Sequence, residues 1–308
     1  DLTNFSYTGT PTVNFTYSGS VGTRVIQNGS TAGGTEANAV SMNITAGTDG
    51  VTLSTTGTVL NLNYTGYSGA GNLPGFIYGN LTLSATQTIA SSGSYTTFAA
   101  TSGTKTITTN GVTIDRPFYF NGVGGSWVLG SALTMGATNG NLDFINGTFS
   151  TGNYSVSARR FYYDYLVVNG AFTLNLGSST VTLIPSILLT PWQMGGGFVS
   201  PLVVNGGTSN IVFNTTVAQV TMNPNTFYAT ATYYKVTQAG TNDLLINDGL
   251  TLNTLQNTAQ PTTITFREST AGTSPYIVDN FNVSGTAGNL VTIKSKTPGS
   301  QFSIAKNT

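Results

Sequence analysis

The sequence predicts an all-β fold, a degenerate right-handed parallel β-solenoid, and three observations lead to it. Short segments alternate apolar with hydroxyl or amide side chains, as in Lys105-Thr106-Ile107-Thr108 and Val112-Thr113-Ile114-Asp115, so one face of each is buried and the other solvated. Glycine and Asn-Gly corners separate them, at Asn110-Gly111, Asn121-Gly122, Asn139-Gly140, Asn146-Gly147, Asn169-Gly170 and Asn205-Gly206; Asn and Gly tolerate positive φ at low cost. Paired segments also return at roughly one coil, on the order of 20 residues, as repeat architectures require. The repeat has no invariant position, and a β-sandwich or jelly roll is the alternative that the same short strands allow.

Along the chain, residues 1–72 read as a β-rich N-terminal part, either a cap or the first coils. The segment Gly66 to Pro74 opposes strand pairing with its glycines and proline, and it marks the best break. Residues 73–308 then read as solenoid, with strand pairs at Gly79 to Ile89, Thr104 to Ile114, Ser126 to Met135, Asn141 to Phe149, Ala171 to Leu183 and Asn242 to Leu252. Near 185–198, Pro185, Pro191 and Gly195-Gly196-Gly197 surround Trp192, and a loop leaving the solenoid is expected there.

Composition narrows the function. Ten basic and ten acidic residues give no net charge, only 6% of residues are charged, and the chain holds 15 Tyr and 16 Phe. That is too many aromatic and β-branched residues for a disordered chain, and there is no basic footprint for nucleic acid or an anionic membrane. No apolar run reaches the length of a membrane-spanning helix. His and Cys are absent, which removes the usual base of a serine hydrolase triad and the commonest transition-metal ligands. A Ser-Lys arrangement would need a lysine in an apolar pocket, yet all five lysines lie in polar sequence. The densest carboxylate pair is Asp243 and Asp248, either a weak cation or acid site or two turn residues flanking a strand. No enzyme activity, cofactor or metal is expected.

The most informative cluster is Arg159-Arg160-Phe161-Tyr162-Tyr163-Asp164-Tyr165. Ring faces beside Arg and Asp suit stacking on sugars and hydrogen bonding to their hydroxyls, so Arg159, Arg160, Tyr162, Tyr163, Asp164 and Tyr165, together with Trp192, are the candidate glycan- or receptor-binding residues. The structural alternative packs these aromatics between coils or subunits and pairs Arg160 with Asp164. A second group, Phe227-Tyr228 with Tyr233-Tyr234, alternates with Ala and Thr and reads as core stacking.

Two stretches carry a resemblance. Residues 78 to 135 include Tyr78-Gly79-Asn80-Leu81-Thr82-Leu83-Ser84, Phe98-Ala99-Ala100-Thr101-Ser102-Gly103-Thr104 and Phe120-Asn121-Gly122-Val123-Gly124-Gly125-Ser126-Trp127; residues 279 to 306 include Asp279-Asn280-Phe281-Asn282-Val283-Ser284-Gly285 and Pro298-Gly299-Ser300-Gln301-Phe302. In these the chain resembles Gly/Ser/Thr/Asn-rich virion structural and tail-fibre-like proteins of bacteriophages, notably marine ones. The resemblance implies a non-catalytic virion-surface component, a tail fibre, spike or capsid-decorating protein. It further implies a homo-oligomer, trimeric by analogy, partnered by other virion proteins and by a host-surface glycan. A bacterial adhesin, fibril or surface-layer subunit at the cell surface is the competing expectation. The group brings no established site residues with it, and Phe161 to Tyr165 and Pro191 to Met194 depart from its texture.

Overall fold

A computed structural model describes residues 9–16, 19, 22–26, 35–163, 171–187, 189–194, 202–224, 229–268 and 275–306. The fold is an all-β parallel solenoid, and among the described residues the only helical element is the single 3₁₀ turn Glu36–Asn38. The chain divides into two compact units, residues 1–149 and 150–308.

In the first unit the coils stack three rows of strands. One row runs from Thr12–Phe15 through Val40–Ile44, Thr58–Asn63 and Phe76–Ile77 to Thr96–Phe98 and the start of Phe118–Leu129. A second links the end of Thr58–Asn63 with Leu81–Thr82, Thr104–Thr108 and the end of Phe118–Leu129. The third contains Arg24–Ile26 with Val51–Leu53, Ala70–Gly71 with Thr88–Ile89, and Thr113–Ile114 with Leu133–Met135. Thr58–Asn63 thus pairs directly with strands on the far side of residue 72. The expected break at Gly66 to Pro74 itself supplies the strand Ala70–Gly71 and buries Tyr67 and Leu73.

The second unit repeats the arrangement. Arg160–Tyr163, Leu189–Gln193, Gln219–Asn223, Asp243–Ile246, Thr262–Phe266 and Val291–Ser295 form one row of parallel neighbours. Val156–Ala158, Thr180–Leu183, Asn210–Phe213, the end of Ala229–Gln238, Thr251–Asn257, Tyr276–Asn282 and Ile304–Ala305 form another. The third joins Phe172–Asn175 and Leu202–Asn205 to the start of Ala229–Gln238. Alternation decides what faces inward, and the register stacks Val156, Val181, Ile211, Val236 and Leu255 into one aliphatic column, each at most 1% exposed. Burial of each such side chain contributes about 1.5–3 kcal/mol.

Two expectations about corners change. Asn121-Gly122 and Asn146-Gly147 lie inside the long strands Phe118–Leu129 and Asn141–Ser150 rather than between strands. The ladder bends without breaking: Phe118 to Phe120 pair with Thr96 to Phe98, and Ser126 to Leu129 pair with Thr104 to Ile107. Gly122 and Gly125 make the bend possible, because a Cβ at either would overlap the Ala100 carbonyl of the coil before. Asparagine has a second use at such positions. Its amides bond from coil to coil, Asn43 to Asn14 at 2.8 Å, Asn146 to Asn121 at 2.7 Å and Asn205 to Asn175 at 2.7 Å.

The loop expected near 185–198 is replaced by a strand over Leu189–Gln193, which pairs on both sides. Its register slips between Leu189 and Trp192, and this bulge accommodates Pro191, which has no N–H to give to a ladder. Proline here marks an irregular strand and not an exit from the solenoid. Residues 195–198 lie outside the described residues.

Candidate glycan-contact site

The strand Arg160–Tyr163 alternates in burial, with Arg160 and Tyr162 turned outward and Phe161 and Tyr163 turned into the core. The period of two that makes the strand therefore splits the predicted aromatic cluster in half. Outward, the Arg160 guanidinium carbon stands 4.0 Å from the centre of the Tyr162 ring, a cation–π contact of about 0.5–1 kcal/mol at such a site. The register then carries the row onward: Tyr162 neighbours Gln193 on the next coil, and Gln193 neighbours Asn223 on the one after. Asn223 keeps a buried Oδ1 with no hydrogen-bond donor among the described residues. A ring and two amides are thus aligned along the coil-stacking direction at the strand spacing of about 4.8 Å, with the Arg160 cation beside the ring on the same strand.

The inward half belongs to the core. Tyr163 is 4% exposed and Trp192 is fully buried. Trp192 stacks on Phe161 with ring centres 5.3 Å apart and 20° between planes, and meets Tyr233 edge-on at 6.1 Å. Neither Tyr163 nor Trp192 offers a face to a ligand, so the two drop out of the predicted set. Arg159 is half-buried just before the strand. Asp164 and Tyr165 lie outside the described residues, as do Phe227 and Tyr228. In the second aromatic group Tyr233 is core and Tyr234 is 38% exposed.

The carboxylate pair is occupied by the protein itself. Asp243 accepts from Thr265 Oγ1 at 2.7 Å and Gln219 Nε2 at 2.9 Å and pairs with Lys294 at 3.2 Å; Asp248 pairs with Arg267 at 3.3 Å. Burial pushes the Asp248 carboxyl up, against the pull of Arg267. Asp243 opens the strand Asp243–Ile246 and Asp248 lies past its end, so the two sit at opposite ends of one strand, each engaged by its own cation. Among the described residues no three candidate metal ligands gather. Lys105 is held by Glu36 at 3.5 Å and Lys294 by Asp243.

Sequence reasoning missed two arrangements that depend on coil register. One is Arg116, 1% exposed; its guanidinium donates to the carbonyls of Leu73 at 2.7 Å, Pro74 at 3.3 Å and Tyr95 at 2.6 Å. Burial lowers its pKa to about 10. The other is a surface tyrosine pair, Tyr95 on Tyr119, with ring centres 4.1 Å apart. The only sequence signal for either was separation by whole coils, one from Arg116 to Tyr95 and from Tyr95 to Tyr119, and two from Arg116 to Leu73 and Pro74. No protein family matches the chain, and no curated protein or solved structure matches it.

Proposed function

We propose that this chain is a non-catalytic structural and adhesive element of a surface, in the first place that of a phage virion, as tail fibre, spike or capsid-decorating protein. The observation that carries the reading is the parallel ladder of each unit, whose outward rows present hydroxyls, amides and few charges. Every coil satisfies its backbone groups on the next, which makes a stacked body stiff. A neutral surface is insensitive to salt and avoids nonspecific ionic adsorption. The resemblance of residues 78 to 135 and 279 to 306 to phage structural proteins favours the virion over a cell envelope. Arg160, Tyr162, Gln193 and Asn223 supply donors, acceptors and a ring for a host glycan. The ion pairs that engage Asp243 and Asp248 support the non-catalytic part.

The resemblance supplies the partners of this reading, other virion proteins and further copies of the chain, a trimer by analogy. Immunogold electron microscopy on phage particles and on uninfected host cells tests the reading. Label confined to particles is expected and would place the chain on tail or capsid. Label on uninfected cells would replace the virion by a cellular adhesin, fibril or surface layer. Release of reducing ends from host polysaccharide by the purified chain would overturn the non-catalytic part.

A further inference from the structure

A groove of about 240 Å³ runs over one corner of the first unit. The same corner on three successive coils lines it, with Thr55 and Thr56 on the first, Gly75 and Phe76 on the second, and Ser94, Tyr95 and Thr97 on the third. Register fixes this order: Phe76 pairs with Thr58 on one side and with Thr97 on the other, and Thr97 pairs in turn with Tyr119. Tyr95 is 51% exposed, which is unusual for so large a ring. It lies almost flat on Tyr119, 24° between planes, so the two rings form a platform beside Phe76. None of the residues lining the groove is charged.

The platform is built on a buried support. Arg116 reaches from beneath to the carbonyls of Leu73, Pro74 and Tyr95, and Thr96 Oγ1 donates to Pro74 O at 2.9 Å. These bonds fasten the Tyr95 backbone to the loop that forms the groove wall. Gly75 completes the fit, because a Cβ there would come within 2.5 Å of the Thr55 carbonyl oxygen. Hydrogen bonds from a charged guanidinium are stronger than those between neutral groups. Their effect is to fix the backbone that carries the Tyr95 ring, which lowers the ordering cost of binding.

We propose that this groove is a second binding site, for a neutral pyranose oligosaccharide. The C–H face of a sugar ring stacks on Tyr95, and its equatorial hydroxyls meet the hydroxyls of Thr55, Ser94 and Thr97. The absence of charge excludes acidic glycans as the preferred class, and the open, shallow shape suits an internal stretch of a chain over a buried end group. The inference rests on the reading of the chain as an adhesive surface element and names the ligand class for a site separate from Arg160 and Tyr162.

The test is isothermal titration of the full chain with cellohexaose, maltohexaose, laminarihexaose and mannohexaose, and with hexagalacturonate as the anionic comparison. At least one neutral hexamer binds with a Kd of about 1 mM or tighter, hexagalacturonate does not, and Tyr95→Ala weakens binding about tenfold or more. Tyr95→Phe retains it, since the ring face and not the hydroxyl carries the contact, and Tyr154→Ala, which removes an exposed ring of the second unit that belongs to neither site, leaves it unchanged. Circular dichroism of Tyr95→Ala matches the parent, as expected for an exposed side chain. No binding of any neutral hexamer, preference for hexagalacturonate, or binding unaffected by Tyr95→Ala overturns the proposal. Binding lost in Arg160→Ala and kept in Tyr95→Ala also overturns it, and leaves the adhesive reading standing on the other site; particle labelling reports on that reading independently of either.

Discussion

The indole N–H of Trp192 donates to the Tyr233 hydroxyl at 3.2 Å, and that hydroxyl donates onward to the carbonyl of Pro224 at 2.9 Å. The relay satisfies both buried polar groups within the core of the second unit. Trp127, in the first unit, is equally buried but its indole nitrogen has no acceptor among the described residues. Replacing each by Phe removes similar volume, so the difference between them isolates the hydrogen bond. Trp192→Phe is expected to cost about 1–3 kcal/mol more than Trp127→Phe, read as the urea midpoint of the unit concerned by circular dichroism. Equal costs, or a costlier Trp127→Phe, would remove the relay from the account of stability.

Glycine substitutions separate close approach from mere flexibility. Gly122 sits against the Ala100 carbonyl of the preceding coil, where a Cβ has no room, whereas a Cβ at Gly93 meets nothing within 4 Å and its φ is not positive. Gly122→Ala should therefore lower stability by about 1–3 kcal/mol through overpacking. Gly93→Ala should be neutral or slightly stabilising, because it restricts the unfolded chain. Thermal melts of the two variants check the contrast; similar melting temperatures would show that the bend at Gly122 tolerates a methyl group.

These contrasts show what the residues announce and what they conceal. Alternation in Lys105 to Thr108 and the Asn-Gly corner at Asn110 made strands and turns legible, and the coil-scale return of such pairs made the solenoid legible. The corners at Asn121 and Asn146 misled because glycine is used there for backbone approach within a strand and not to end one. Proline at 191 misled because a bulge absorbs its missing N–H. For the site, alternation within Arg160 to Tyr163 already implied that two neighbours in sequence cannot both face out, so Tyr163 was separable from Tyr162 on sequence alone. The platform of Tyr95 and Tyr119 was not separable from background, since only the number of residues per coil places one ring on the other, and that number varies from 18 between Thr58 and Phe76 to 31 between Phe161 and Trp192.

Alkaline titration should unfold the chain through its tyrosines. Burial raises the pKa of Tyr64, with Tyr67 adding to it, and burial raises that of Tyr233 despite the hydrogen bond from Trp192. A folded pKa above the ordinary value of 10.0 means the stabilisation is whole below pH 10 and is lost as pH rises past it, because the unfolded state releases protons first. Each of these two groups then contributes a slope of about 1.4 kcal/mol per pH unit. Absorbance at the tyrosinate band, followed with circular dichroism, should show a fraction of the tyrosines ionising only as β-structure is lost. Smooth ionisation of every tyrosine with the β-signal intact would contradict the buried placement.

At the acid end the last coil of the second unit has its own dependence. Glu268 Oε1 accepts from the Thr297 amide and from Ser295 Oγ at 3.2 Å, tying the end of the strand Val291–Ser295 to the coil before. The bonds from Thr297 hold the Glu268 carboxyl down from 4.5 to about 2. A lowered folded pKa places the contribution above pH 4.5, and it is lost as pH falls toward 2. Hydrogen-exchange protection of the Thr297 amide should therefore fall across that window, while the Lys296 amide, bonded to the Phe266 carbonyl at 2.8 Å, keeps its protection as an internal control. Glu268→Gln retains an acceptor oxygen without a titrating proton, so Thr297 protection in that variant should be lower at neutral pH and flat below it. A fall of the same size in Glu268→Gln, or parallel loss at Lys296, would mean that the coil opens for a reason other than protonation of Glu268.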